Sequence, residues 1–153
     1  MQSGWRCLGL AVTLALVVGR AVADTDEGDT MASTIIVPFG FNSAAFAPDE
    51  VQRLALADAP GAALVAVRAR TSNDRATPSD EALALARALA ARRYLVAHGV
   101  SPLKITINYS SASDYLVPND TPEGRALNRR VEIEMFYVPG LATLDDAGGA
   151  AAR

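Results

Sequence analysis

Short strand-like segments alternate with helical ones through the middle of this chain, and this order restricts the possible fold more than any other property of the sequence. The strand-like segments have β-branched composition, a continuous apolar run or strict alternation, and they are residues 34–37, 63–67, 104–109 and 130–136. The helical segments are residues 48–58, residues 79–98 and a turn or two near residues 120–124. The order predicts an α/β sandwich, β-α-β-α-β, with helices packed on one face of a four-stranded mixed sheet. In the last strand, Val131 and Ile133 are expected on the buried face.

The longest predicted helix, residues 79–98, should provide most of the helical packing surface. Ser79 is a suitable N-cap, and Gly99 should end the helix. One side of this helix carries apolar residues at helical spacing, namely Ala82, Leu85, Ala86, Leu89 and Val96. We expect this side to pack on the sheet.

The first 23 residues have the pattern of a cleaved secretory signal. An apolar run of about a dozen residues is too short for a membrane anchor, which needs ~20, and Ala21-Val22-Ala23 matches the small-residue pattern that precedes a cleavage site. Cys7 lies at the start of the apolar run rather than at its end, so a lipid anchor is not expected. The sequence therefore predicts export to the periplasm, where a partner could hold the protein at the outer membrane.

Both ends of the exported chain lack the side chains needed to pack on a core. Residues 24–33 are mostly acidic or polar, and residues 140–153 are rich in Ala and Gly. We therefore expect a flexible acidic leader, a single domain over residues 34–139 and a disordered tail. Loss of Arg6 and Arg20 with the signal would lower the net charge of −3 by two.

The composition argues against several classes of protein. The only Cys lies in the predicted signal, and His98 is the only His, so a disulfide, a thiolate metal site or a Cys or His nucleophile is not expected. The 17 acidic residues outnumber the 14 basic ones, which argues against a nucleic-acid partner. The sequence has no Gly-rich phosphate loop and no Ser-centred elbow. We expect no enzymatic activity, no cofactor and no metal.

One segment carries a specific family resemblance. It begins at Asn119 and has Thr121, then Gly124-Arg125, then Asn128-Arg129-Arg130-Val131-Glu132-Ile133. It closely resembles the closing motif of the OmpA C-terminal domain family, and residues 39–46, 83–88 and 99–105 look like the family's first turn, long helix and following strand. The resemblance extends over roughly residues 35–136. It implies a non-catalytic domain that binds peptidoglycan through the diaminopimelate of the stem peptide.

The resemblance also implies which residues bind. The family holds the zwitterionic end of diaminopimelate with an Arg on the long helix and an Asp in the loop after the second strand, and these positions fall on Arg87 and Ser72. Thr71 matches the usual Thr, whereas Ser72 carries no charge, so Asp74 or Asp80 could replace the missing acid. The other candidates are Asn42, Asn128 and Arg129.

These residues also have simpler interpretations. Asn42 and Asn128 could satisfy loop backbone. Arg87 could be an exposed helix arginine with little effect on stability, or it could pair with Asp80, Glu81 or Glu123.

Two functions remain open at this point. The first is a peptidoglycan-binding module that tethers an envelope structure to the cell wall. The second is an OmpA-like domain that has lost wall binding and serves as a protein-interaction part of an envelope assembly, such as a secretion or conjugation apparatus. The intact closing motif favours the first, and Ser72 in place of the acid favours the second.

Overall fold

The computed structural model of the protein describes residues 30–138. The predicted signal, most of the predicted leader and the predicted tail lie outside these residues. The elements of the described part are β1 (Met31–Pro38), α1 (Glu50–Leu56), a 3-10 turn (Ala59–Gly61), β2 (Leu64–Arg70), α2 (Pro78–Ala97), a second 3-10 turn (Pro102–Lys104), β3 (Ile105–Ser110), α3 (Pro122–Asn128) and β4 (Arg130–Tyr137).

The strands form one mixed sheet in the order β1-β4-β2-β3. β4 is antiparallel to both β1 and β2, whereas β2 and β3 are parallel. This agrees with the predicted four-stranded mixed sheet. β1 begins at Met31, which pairs with Tyr137, so residues 31–33 belong to the sheet and not to the leader in which the sequence placed them.

The hydrophobic core lies on one face of the sheet. Alternate residues of β1, β2 and β4 point into it, and Val131 and Ile133 are fully buried, as predicted. The other buried hydrophobic residues of the strands are Ile35, Val37, Val65, Val67, Ala69 and Met135. Within residues 30–138, no helix has the length and apolar character needed to cross a membrane.

Helix α2 covers this face through a different side from the one that its apolar pattern predicted. Its buried residues are Ala84, Arg87, Ala88, Ala90, Ala91 and Leu95. In the predicted stripe, by contrast, Leu89 and Val96 are each 37% exposed. The stripe was wrong because alanines occur on every side of this helix, and the side with the smallest residues allows the closest approach to the sheet.

The ends of α2 also differ in part from expectation. Thr77, not Ser79, is the N-cap, because its hydroxyl oxygen accepts from the Asp80 N–H and Pro78 occupies the first helical position. At the other end, Gly99 follows the helix with a φ of +93°, a conformation that favours glycine.

The two shorter helices are fixed by their caps. In α1, the Asp49 side chain accepts from the Gln52 N–H, and the Gln52 side chain accepts in return from the Asp49 N–H, both at 2.8 Å. In α3, Thr121 accepts from the Gly124 N–H at 3.0 Å. A Cβ on Gly124 would overlap the carbonyl oxygen of Pro118, so α3 packs on the preceding loop at a distance that only glycine permits.

The strand directions separate the loops from the chain ends. β1, β2 and β3 all run opposite to β4, so they end at the edge of the sheet where β4 begins. The loops that follow these three strands therefore gather at that edge. Met31 and Tyr137 pair at the other edge, about 25 Å away for a strand of eight residues.

Candidate functional site

A small pocket opens at the loop edge of the sheet, between the N-terminal half of α2 and the loops after β1 and β2. Its volume is about 80 Å³. It is lined by Phe41, Asn42, Thr71, Ser72, Asn73, Asp80, Leu83, Arg87 and Arg129. Six of the eight residues predicted from the sequence therefore lie together in this pocket, and Asp74 and Asn128 do not line it.

Arg87 is buried, which contradicts the expectation of an exposed helix arginine. Its exposed fraction is 0%, and each of its three nitrogens donates to a main-chain carbonyl. Nε donates to Ser43 at 2.8 Å, one terminal nitrogen to Arg70 at 3.1 Å and the other to Gly40 at 3.1 Å. Its guanidinium also lies 5.1 Å from the centre of the Phe39 ring. Arg87 therefore joins α2 to the ends of β1 and β2.

Among the described residues, no acid forms an ion pair with Arg87. Burial, and to a lesser extent the nearby charge of Arg129, lowers the pKa of Arg87 to about 10. The ion pairs formed within residues 30–138 are Arg68–Glu134, Arg70–Asp114 and Arg130–Glu132. Neither Arg87 nor Arg129 takes part in them, so the pocket has two guanidinium groups without a carboxylate partner in the described part of the chain.

Arg129 is the more accessible of the two arginines. It is partly exposed, and its contacts are long, 3.4 Å from Nε to the Phe39 carbonyl and 3.5 Å from a terminal nitrogen to Ser72 Oγ. Such distances indicate weak hydrogen bonds that a better acceptor would replace.

The hydroxyl of Thr71 is buried without a partner. Thr71 is only 2% exposed, and its Oγ1 makes no hydrogen bond within residues 30–138. A buried polar atom left in this way costs free energy, which a polar ligand in the pocket would recover.

The two candidate acids occupy different environments. Asp80, in the first turn of α2, lines the pocket, and one of its oxygens accepts from the Thr77 hydroxyl at 2.6 Å. Asp74 lies outside the pocket and accepts from the side-chain amide of Asn119 at 2.6 Å. The same amide donates to the carbonyl of Ser72 at 2.6 Å, so Asp74 helps to hold the loop that carries Ser72.

The two candidate asparagines also differ. Asn42 lies at the pocket in a turn, with a φ of 49° that Asn tolerates better than most residues. Asn128 is fully buried, and its amide bonds the main chain of residues 116 and 117 and the side chain of Asn119. Its polar atoms are therefore committed to the loop before α3, which is the simpler of the two interpretations that the sequence left open.

Three residues of the pocket wall were not predicted. Phe41 is 83% exposed at the rim, and Leu83 and Asn73 complete the wall. Phe41 could not be predicted as a pocket residue from the sequence, because the alternating pattern assigns it to the preceding strand. Within residues 30–138, no group of three or more His, Cys, Asp or Glu side chains could hold a metal ion.

The pocket and fold agree with a family-level comparison. A model described as the OmpA family matches residues 39–129, which is more than half of the chain. The chain belongs to the OmpA family. OmpA-like domains are periplasmic and typically bind peptidoglycan, and those that do so are non-catalytic, in line with the expectation that this chain is not an enzyme.

Individual OmpA relatives come from secretion systems and from the cell envelope. A type IV secretion system protein of Brucella suis biovar 1 (strain 1330), named as a candidate outer membrane lipoprotein, is 43% identical over 70 residues. The match covers 46% of this chain and 41% of that protein, so the chain matches about two fifths of the length of this relative.

Among solved structures, the cell wall anchor of the type VI secretion system from Pseudomonas aeruginosa is 32% identical with a TM-score of 0.54, covering 77% of this chain and 87% of that chain. The peptidoglycan-associated lipoprotein from Burkholderia pseudomallei has a TM-score of 0.52 and shows the same OmpA fold. It is 23% identical, covering 66% of this chain and 88% of that chain.

Proposed function

We propose that this OmpA domain binds peptidoglycan non-covalently through the diaminopimelate of the stem peptide and tethers an envelope structure to the cell wall. The observation that carries the proposal is that Arg87 and Arg129, neither in an ion pair within residues 30–138, share one pocket with the Thr71 hydroxyl, which has no hydrogen-bond partner among the same residues. A carboxylate is the group that such a pocket would stabilise best. The second carboxylate of diaminopimelate, at the free end of its side chain, is a group of this kind.

The two arginines would contribute differently. Arg129 is accessible and held only by long contacts, so it can turn to the carboxylate of the ligand. Arg87 is committed to three carbonyls and would act through its charge at the pocket wall. Because the site is small and partly shielded from water, an unneutralised charge there acts on an anion more strongly than a surface charge would.

The positions of the chain ends are compatible with a tethering role. The chain enters at Met31 and leaves after Tyr137 at the edge of the sheet opposite the pocket. An anchor or partner attached beyond either end would therefore leave the pocket free to face the wall. This geometry supports a periplasmic domain that spans the distance between an envelope component and peptidoglycan.

Co-sedimentation with isolated sacculi tests the proposal. The wild-type domain should sediment with sacculi that contain diaminopimelate and much less with sacculi that carry lysine at the same position, because lysine lacks the second carboxylate. Arg129→Ala should weaken sedimentation about tenfold or more, the usual cost of a lost charge-assisted hydrogen bond. Arg93→Ala, which removes an exposed arginine from the same domain outside the pocket, is the matched control.

A second function is favoured by one specific observation. Ser72, at the position where the family resemblance has an acid, is neutral, and the Brucella relative is named as a secretion system component. The domain would then be a protein-interaction part of an envelope assembly without affinity for the wall. A folded wild-type domain that fails to sediment with either type of sacculus would favour this function and reject the first.

A further inference from the structure

The pocket must also accommodate an ammonium group if it takes the zwitterionic end of diaminopimelate, and the structure narrows the choice of acid. Ser72 cannot supply a charge. It is only 6% exposed, and its hydroxyl already lies 3.5 Å from a guanidinium nitrogen of Arg129. A hydroxyl in this position faces a cation and would be a weak acceptor for a second one.

Asp74 is also poorly suited to the role. One of its oxygens accepts from the Asn119 amide at 2.6 Å, and the residue lies outside the pocket wall. That contact fixes Asn119, which in turn holds the carbonyl of Ser72. Asp74 therefore positions the loop that carries Ser72 and does not offer its charge to the pocket.

Asp80 differs from the other two because it both carries a charge and lines the pocket. Among residues 30–138 it is the only acid that lines the pocket, and its side chain and its backbone N–H each contact Thr77. The Thr77 hydroxyl donates to Asp80 Oδ2 at 2.6 Å and accepts from the Asp80 N–H at 3.2 Å. Within residues 30–138 the other oxygen, Oδ1, accepts no hydrogen bond, and the carboxylate forms no ion pair.

A second observation favours a polar ligand in the same pocket. Thr71 Oγ1 is buried at the pocket without a hydrogen bond from any described residue. The pocket therefore combines an unpartnered hydroxyl, two cations without acids and one carboxylate with a free oxygen. Opposite charges in one small site match a ligand that carries both.

We infer that Asp80 is the acceptor for the ammonium group of the ligand, so that the acid of this site lies in the first turn of α2 and not in the loop after β2. The inference rests on the proposed function and adds a specificity to it. An acceptor of this kind requires a free amine next to the carboxylate. Cross-linking of the wall acylates that amine and removes its charge, so the domain should prefer stem peptides that are not cross-linked there.

A comparison of two ligands tests this on the wild-type protein. The first ligand is a disaccharide tripeptide that ends in diaminopimelate with a free amine, and the second is the same compound with that amine acetylated. We expect acetylation to raise the Kd by about ten- to hundredfold, the range for the loss of one charge-assisted hydrogen bond. Equal affinities for the two ligands would overturn the inference.

A substitution tests the same point from the side of the protein. Asp80→Asn keeps the shape of the side chain and an oxygen for the Thr77 contact, and it should reduce affinity for the free amine by a similar factor while leaving affinity for the acetylated ligand nearly unchanged. Glu123→Gln is the matched control, because Glu123 is an exposed acid in the first turn of α3 and lies outside the pocket wall. Like Asp80→Asn, this control removes one negative charge from the first turn of a helix.

The outcomes separate this inference from the proposed function. If the wild-type domain binds sacculi but Asp80→Asn binds the free amine as tightly as Glu123→Gln does, wall binding stands and the role of Asp80 is wrong. If the wild-type domain binds neither sacculi nor the free-amine ligand, the proposed function itself fails. Should Asp80→Asn prove unstable in a thermal melt, the two-ligand comparison on wild type still tests whether the site requires a free amine, and equal affinities still overturn the inference.

Discussion

Replacement of Arg87 by Ala should destabilise the domain strongly, although arginine is usually a surface residue. The substitution removes three hydrogen bonds to main-chain carbonyls, of Gly40, Ser43 and Arg70. Hydrogen bonds that involve a charged group contribute about 1.5–3 kcal/mol each, so their sum is roughly 5–9 kcal/mol. The substitution also leaves the carbonyl oxygen of Arg70, in a buried hydrogen bond, without its donor.

An opposing contribution reduces this sum. Burial and the charge of Arg129 lower the pKa of Arg87 from 12.5 to about 10. At about 1.4 kcal/mol per pKa unit, the charged form is disfavoured in the folded protein by about 3 kcal/mol, which Arg87→Ala would recover. The difference is a net loss of about 2–6 kcal/mol in the free energy of unfolding, a large part of the stability of a small domain.

Thermal and urea unfolding of the purified domain would measure this loss. For a domain of about 110 residues, Tm falls by roughly 4 °C per kcal/mol, so Arg87→Ala should lower it by about 8 °C or more. Arg93→Ala is the control on the same helix, because Arg93 is exposed and its replacement should change the free energy by less than about 0.5 kcal/mol. If both variants melt within about 2 °C of wild type, Arg87 does not hold α2 to the strand ends as the structure indicates.

Three further changes test other parts of the fold. The Ser111 hydroxyl and amide donate to Glu81 and lower its pKa below the ordinary 4.5. The stability that this contact contributes is therefore present above pH 4.5 and is lost as the pH falls through the lowered pKa. Glu81→Gln should flatten the dependence of the free energy of unfolding on pH in that range. Gly124→Ala should lower the urea midpoint because of overlap with a loop carbonyl, whereas Gly61→Ala, with open space around it, should leave the midpoint unchanged. Ile133→Asp should abolish cooperative melting, since Ile133 is fully buried in a central strand; a soluble variant with a sharp transition would refute its placement.

The order of elements and the face of the last strand could be predicted from the sequence alone. Alternation along residues 130–136 fixes which side chains share a face, because successive residues of a strand point to opposite sides. Val131 and Ile133 accordingly lie in the core. The closing motif likewise indicates the family from the sequence alone, since its residues are contiguous in the chain.

The caps and ends of elements were less predictable. Ser79 and Thr77 are both good N-caps by residue type, and Pro78 between them decides for Thr77, because proline is favoured at the first helical position. The start of β1 at Met31 depends on pairing with Tyr137, more than 100 residues away in the chain. Local sequence carries no information about that pairing.

Only the tertiary structure decided how α2 faces the sheet and what Arg87 does. An alanine-rich helix offers several acceptable faces, and the choice depends on which one fits the surface formed by β2 and β3. This packing turns Arg87 inward, where three carbonyls at the ends of β1 and β2, two strands far apart in the chain, accept its hydrogen bonds. The same packing brings Asp80 to the pocket and leaves Asp74 outside it, although both are equally plausible acids in the sequence. The sequence alone determined the fold and the residue types of the site. The packing of α2 determined which of those residues line one pocket, because the pocket brings together parts of the chain that are far apart in the sequence.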